Sequence, residues 1–174
     1  MTTLAQRYAR AFCAEYAQHR WPSLGKGQTA FGPSQWTEQM YKILEKTARR
    51  LGLEKKRTEL RRIDLTWYKG NVDTPKAMVE HENGYKGIWN EELPKLLSSS
   101  ADLKVLICYP PKKMYWEIAN RLRSLLNSEK RLEKKISEEF LLIMGKSEEI
   151  VTRDPEGFVI YIYTPAFAVK RFRP

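Results

Sequence analysis

Apolar residues recur every three or four positions through most of the first fifty residues, and this spacing predicts two amphipathic helices. The first helix is expected over 3–19 and the second over about 35–51. Ser34 is a predicted N-cap of the second helix and Gly52 a predicted C-cap. The segment 22–34 is rich in glycine, proline and serine, so it is expected to be a loop.

The hydrophobic period changes to two after the second helix. Alternating apolar and polar residues predict one strand over 57–68 and a second over 76–82. The intervening residues, 69–75, are typical of a turn, so the two strands are expected to form an antiparallel hairpin.

Helices and strands then alternate along the rest of the chain. Helices are predicted over about 88–99 and 112–135, and strands over 102–109, 139–144 and 158–163. The order α-α-β-β-α-β-α-β-β favours an α/β sandwich, a mixed β-sheet core flanked by helices. Helical or strand period places three tryptophans in the expected core: Trp36, Trp67 and Trp116.

We expect a single domain overall, with an N-terminal helical extension over 1–33 and an α/β domain over 34–174. The 31 Lys and Arg residues exceed the 21 Asp and Glu residues, which gives a net charge of +10 and favours a nucleic-acid partner. No apolar run approaches the roughly 20 residues that span a bilayer, and no signal peptide is visible, so a soluble, cytoplasmic protein without a membrane partner is expected. Cys13 and Cys108 are far apart, which argues against a zinc site.

Three acids of the predicted hairpin share one face of the sheet. Glu80 and Glu82 are two residues apart on one strand, and Asp64 lies opposite Glu80 if the hairpin folds symmetrically about position 72. Carboxylates that converge repel one another unless a cation lies among them, and an oxygen-only group suits Mg²⁺ or Mn²⁺. His81 alternates to the other face and is expected to be structural. The competing interpretation is a charged, solvated hairpin whose acids pair with neighbouring Arg and Lys residues.

Several basic residues lie near these acids or on the helix before them. The candidates for contacts with nucleic-acid phosphates are Lys86, Arg62, Lys69, Lys55, Lys56 and Arg57. The basic C-terminal tail, 170–173, is a further candidate, as a flexible phosphate contact.

Over about 34–144, a long helix is followed by RRIDLTW, a turn, MVEHEN, a helix and DLKVLICYPP. This order of elements and motifs resembles the PD-(D/E)XK, or restriction-endonuclease-like, nuclease superfamily. The resemblance implies that Asp64 and Glu80 hold Mg²⁺, with the His81 backbone carbonyl as a further ligand. Glu82 stands where the family has its water-activating Lys, an ExE variant that BamHI-like restriction enzymes share. Glu82 and Glu59 are additional candidate ligands.

The resemblance implies a Mg²⁺-dependent deoxyribonuclease with Asp64, Glu80 and Glu82 as catalytic residues, and a homodimer is the expected assembly for cutting both strands. Two alternatives stay open. One is a catalytically inactive nucleic-acid-binding protein that retains the nuclease fold, and the other is a basic scaffold protein without a metal.

Overall fold

A computed structural model describes residues 2–23, 26, 31–58, 63–70, 74–133, 138–145, 157–164 and 169–172 of the chain. Its helices are α1 (Leu4–Gln18), α2 (Pro33–Arg50), α3 (Glu92–Ser98) and α4 (Tyr115–Glu133), with short 3-10 helices at Gly87–Trp89 and Lys112–Met114. Its strands are β1 (Glu54–Thr58), β2 (Leu65–Tyr68), β3 (Ala77–His81), β4 (Leu103–Cys108), β5 (Glu139–Met144), β6 (Val159–Tyr163) and β7 (Val169–Phe172).

The seven strands form one sheet in the order of the sequence, from β1 to β7. The central strands β3, β4 and β5 are parallel, and the strands outside them are antiparallel. Parallel neighbours need long connections, which α3 and α4 supply. The predicted mixed α/β architecture is therefore confirmed.

Helices cover both faces of the sheet. α1 and α2 pack on the face formed by Leu103, Val105 and Ile107 of β4, whereas α3 and α4 pack on the opposite face, formed by Leu106 and Cys108. All six residues of β4 are consequently buried. A polar side chain on a central strand therefore has no direct access to bulk water. Among the described helices, none combines the length and apolar character needed to cross a bilayer.

The single strand predicted over 57–68 is wrong, because the chain forms two antiparallel strands there, β1 and β2. The sequence of β1, EKKRT, lacks the apolar alternation by which a strand is recognised, because β1 is an edge strand. The other edge strand, β7, was missed for the same reason. Residues 169–172, part of the tail expected to be flexible, pair with β6.

Two local expectations also differ from the structure. The second helix begins earlier than predicted, with Gly32 as its N-cap and Pro33 at the first helical position, where proline is favoured. Gly52, at φ +67°, follows the helix as expected of a terminating glycine.

Trp36 and Trp67 are buried, but Trp116 is 69% exposed. The inward face of α4 is formed instead by Tyr115, Ile118, Ala119 and Leu122.

Gly145, which follows β5, lies against the buried ring of Tyr109. A Cβ atom at this position would lie 2.6 Å from two Tyr109 ring carbons and 2.9 Å from a ring carbon of Phe158. We therefore expect Gly145→Ala to lower the free energy of unfolding by about 1–3 kcal/mol, as measured by urea denaturation. Gly157→Ala is the control, because a Cβ there meets no atom within 4 Å. Equal stabilities of the two variants would contradict this description of the packing.

Candidate functional site

The β2–β3 hairpin brings Asp64 next to the end of β3. Leu65 pairs with Val79 and Thr66 with Met78, which is the register predicted from symmetry about position 72. Asp64 directly precedes β2, and its Oδ2 accepts a hydrogen bond of 2.8 Å from the backbone N–H of His81. This bond fixes the Asp64 carboxylate against β3.

Glu80 is a buried carboxyl group in the middle of the sheet. Its side chain is only 1% exposed, and it lies on the sheet face that packs against α3 and α4, since Glu80 pairs with Leu106. Its Oε1 atom has no hydrogen-bond partner. Among the described residues, the cation paired with it is Lys95, whose Nζ lies 4.0 Å from that atom.

Burial is the largest cause that raises the pKa of Glu80, and the carboxylates of Asp64 and Glu92 raise it further, to about 9. A hydrogen bond with Glu92 acts in the same direction, and within the described part of the chain Lys95 opposes the shift. Glu80 therefore carries a proton at neutral pH. We call Asp64, Glu80 and Glu92 the acidic cluster.

The helix after the hairpin supplies two members of the site that the sequence analysis missed. Glu92 opens α3, and Lys95 lies one turn later, with its Nζ 2.8 Å from Glu92 Oε2. This hydrogen bond is the largest cause that raises the pKa of Lys95. The available signal was an acid and a lysine at i, i+3 in the predicted helix that follows the paired acids.

Glu82 occupies a different position from Glu80. Its Oε1 accepts a 2.9 Å hydrogen bond from the backbone N–H of Gly84, so the side chain turns toward the loop after β3. Glu82 is not among the charges that shift the pKa of Glu80. Of the three acids predicted to converge, the structure brings Asp64 and Glu80 into one electrostatic group, and Glu92 is its third member.

His81 faces the other side of the sheet, as its parity predicts. Its Nε2 is 2.9 Å from the hydroxyl of Tyr109, and its ring packs edge-on against Tyr41 and Tyr109. Burial lowers the pKa of His81 to about 4, so the ring is neutral at physiological pH. The side chain of His81 therefore lies on the sheet face opposite Glu80, and only the His81 backbone can contribute to a site at Glu80.

The predicted phosphate contacts fall into two groups. Lys69 and Lys86 are exposed. Lys55, Lys56 and Arg57 belong to β1, but their side chains lie outside the described part of the structure. Glu59 and Arg62 also lie outside the described residues. Within the described residues, no group of three or more His, Cys, Asp or Glu side chains is arranged to hold a metal ion.

Comparison of the chain with protein-family models gives no match. A search among curated proteins gives no significant match either.

The raised pKa of Glu80 predicts a specific dependence of stability on pH. The unfolded chain loses this proton near the ordinary value of 4.5 and the folded chain only near 9, so stability declines as pH rises between these values. Glu80→Gln removes the decline. We expect the variant to be more stable than the wild type by about 1–3 kcal/mol at pH 7, with little difference at pH 4.

Urea denaturation at the two pH values measures this effect. Glu38→Gln is the matched control, because Glu38 lies on the surface of α2 and pairs only with Lys42 among the described residues. Equal pH dependence of the wild type and Glu80→Gln would show that Glu80 is ionised in the folded chain.

Proposed function

We propose that this chain is a Mg²⁺- or Mn²⁺-dependent nuclease of the restriction-endonuclease-like type, which hydrolyses phosphodiester bonds in DNA. The observation that carries the proposal is the convergence of Asp64 and Glu80 from neighbouring strands beside Lys95. The order of α2, the hairpin, α3 and β4 supports the resemblance noted from the sequence. The +10 charge supports a polyanionic substrate.

Asp64 and Glu80 have the donor chemistry of a divalent-cation site, although the described side chains do not form a three-residue metal-binding group. The Oε1 atom of Glu80 is buried without a hydrogen-bond partner, and carboxylate oxygens are the donors that Mg²⁺ and Mn²⁺ prefer. Asp64 and Glu80 would hold the ion, and Glu92, which is hydrogen-bonded to Glu80, is an additional carboxyl group beside them. The His81 carbonyl and Glu82 stay candidate ligands. When bound, the ion supplies Lewis acidity and a water of lowered pKa.

The residues of the chain have distinct tasks in this proposal. Glu80 would release its proton to solvent on becoming a ligand, because a metal competes with protons for a carboxylate. Lys95 is held by Glu92 beside the cluster, and its ammonium group donates hydrogen bonds to the charged oxygens of a phosphate. It thereby supplies a cation near the site, although Glu82 stands where the family motif has lysine.

A second function has an observation in its favour. The Glu82 carboxylate is engaged by the loop at Gly84 rather than by the acidic cluster. This arrangement favours a nucleic-acid-binding protein that retains the fold without cutting. Cleavage assays distinguish the two functions.

We expect the wild type to cut plasmid DNA with Mg²⁺ or Mn²⁺, and Asp64→Ala to lower the rate at least about 100-fold, as expected for loss of a metal ligand. Glu38→Gln, remote from the cluster, is expected to cut as the wild type does. Equal cutting by Asp64→Ala would refute the assignment of the site. Binding of DNA without cutting by the wild type would establish the second function.

Lys95→Ala is expected to lower the cleavage rate about 100-fold, the scale for removing one donor to a transition-state oxyanion. Lys112→Ala removes the same charge from an exposed 3-10 helix and is expected to leave the rate unchanged. DNA affinity measured in Ca²⁺ separates binding from catalysis. A loss of affinity equal to the loss of rate would show that Lys95 acts in binding alone.

A further inference from the structure

A pocket of about 200 Å³ lies beside the loop that follows β3. Tyr85, Trp89, Met114 and Ile118 provide its apolar walls, and its charged lining residues are two cations, Lys86 and Arg121, and one acid, Glu117. We call it the Trp89 pocket. Its walls come from the loop, from the 3-10 helix Gly87–Trp89 and from the beginning of α4, elements that pack on the same face of the sheet.

The pocket combines aromatic surface with a planar cation. The guanidinium carbon of Arg121 lies 4.2 Å from the centre of the Trp89 ring, the geometry of a cation–π contact. Arg121 and Lys86 are exposed, and the Tyr85 and Trp89 side chains are partly exposed. Aromatic rings and guanidinium planes are the surfaces on which unpaired bases stack.

The pocket is continuous in sequence with the acidic cluster. Tyr85 comes five residues after Glu80, and Trp89 comes three residues before Glu92. One segment thus runs from the end of β3, through the pocket wall, to Glu92 and Lys95. A nucleic-acid strand whose phosphate lies at Lys95 therefore has a base-stacking surface on the same segment.

We propose that the Trp89 pocket binds a base of single-stranded or locally unpaired nucleic acid, and that it positions the neighbouring phosphodiester at the acidic cluster. The positioning role rests on the proposed function, whereas base binding does not. The volume is below the roughly 300–1,000 Å³ of sites for drug-sized ligands, so it suits one ring system rather than a whole nucleotide. Lys86 and Arg121 complement the phosphates on either side of that base.

The test uses two fluorescently labelled single-stranded probes without divalent ions: a thymidine decamer and an abasic decamer with the same phosphates. Fluorescence anisotropy measures the affinity of the folded 174-residue chain for each. We expect the wild type to bind the thymidine decamer about 5- to 100-fold more tightly, the scale of one base stacked on an aromatic ring. Equal affinities would overturn the proposal, because contacts with phosphates alone would then account for binding.

Two pairs of variants test whether the preference for the thymidine decamer arises in the Trp89 pocket. Trp89→Ala and Arg121→Ala are expected to reduce the preference for the thymidine decamer. Trp116→Ala and Arg123→Ala are matched controls, because both side chains are exposed on α4 and do not line the pocket. Arg121→Ala removes an exposed side chain and so keeps the fold, even if Trp89→Ala destabilises it. An unchanged preference in Arg121→Ala and in folded Trp89→Ala would overturn the proposal.

The two proposals fail in different assays. A wild type that prefers the thymidine decamer but cuts no DNA would remove the nuclease function and support base binding. A wild type that cuts DNA, with activity lost in Asp64→Ala, but binds both decamers equally would overturn base binding alone.

Discussion

The buried carboxyl group of Glu80 is the constraint around which this site is organised. A carboxylate on a central strand, covered by α3, cannot be hydrated, and ionisation there is opposed by Asp64 and Glu92. The chain accommodates the group by keeping it protonated, since its pKa is raised, and by placing Lys95 Nζ 4.0 Å from Glu80 Oε1. A buried acid that is stable only as the neutral form, or with a cation, is a suitable place for a divalent ion.

Sequence periodicity was sufficient to predict much of the fold and two of the three members of the acidic cluster. Symmetry about position 72 gave the hairpin register, because a short turn between alternating segments leaves few possible pairings. Parity also placed His81 behind the sheet, where it contacts Tyr109. The edge strands β1 and β7 could not be recognised, because charged edge positions carry no alternation.

The two remaining residues of the site depend on tertiary packing. Glu92 and Lys95 reach Glu80 only because α3 crosses the sheet face beside β3, an orientation that no spacing within the helix specifies. Glu82 shows the opposite case. Strand parity predicted that it would join Glu80, and the ladder does extend past β3, since the Glu82 backbone N–H bonds the Ile107 carbonyl. The Glu82 side chain, however, accepts a hydrogen bond from the loop backbone at Gly84. Trp116 likewise follows helical period but lies outside the arc of α4 that packs on the sheet.

The central claim is that Glu80 is protonated in the metal-free protein and exchanges this proton for a divalent cation. Calorimetric titration of Mn²⁺ at pH 7, in two buffers of different ionisation enthalpy, measures both the binding of the ion and the protons that it displaces. The account predicts saturable binding with release of about one proton per ion, loss of that proton release in Glu80→Gln, and weakened binding in Asp64→Ala. Binding that releases no proton, or that is unchanged in both variants, would contradict it.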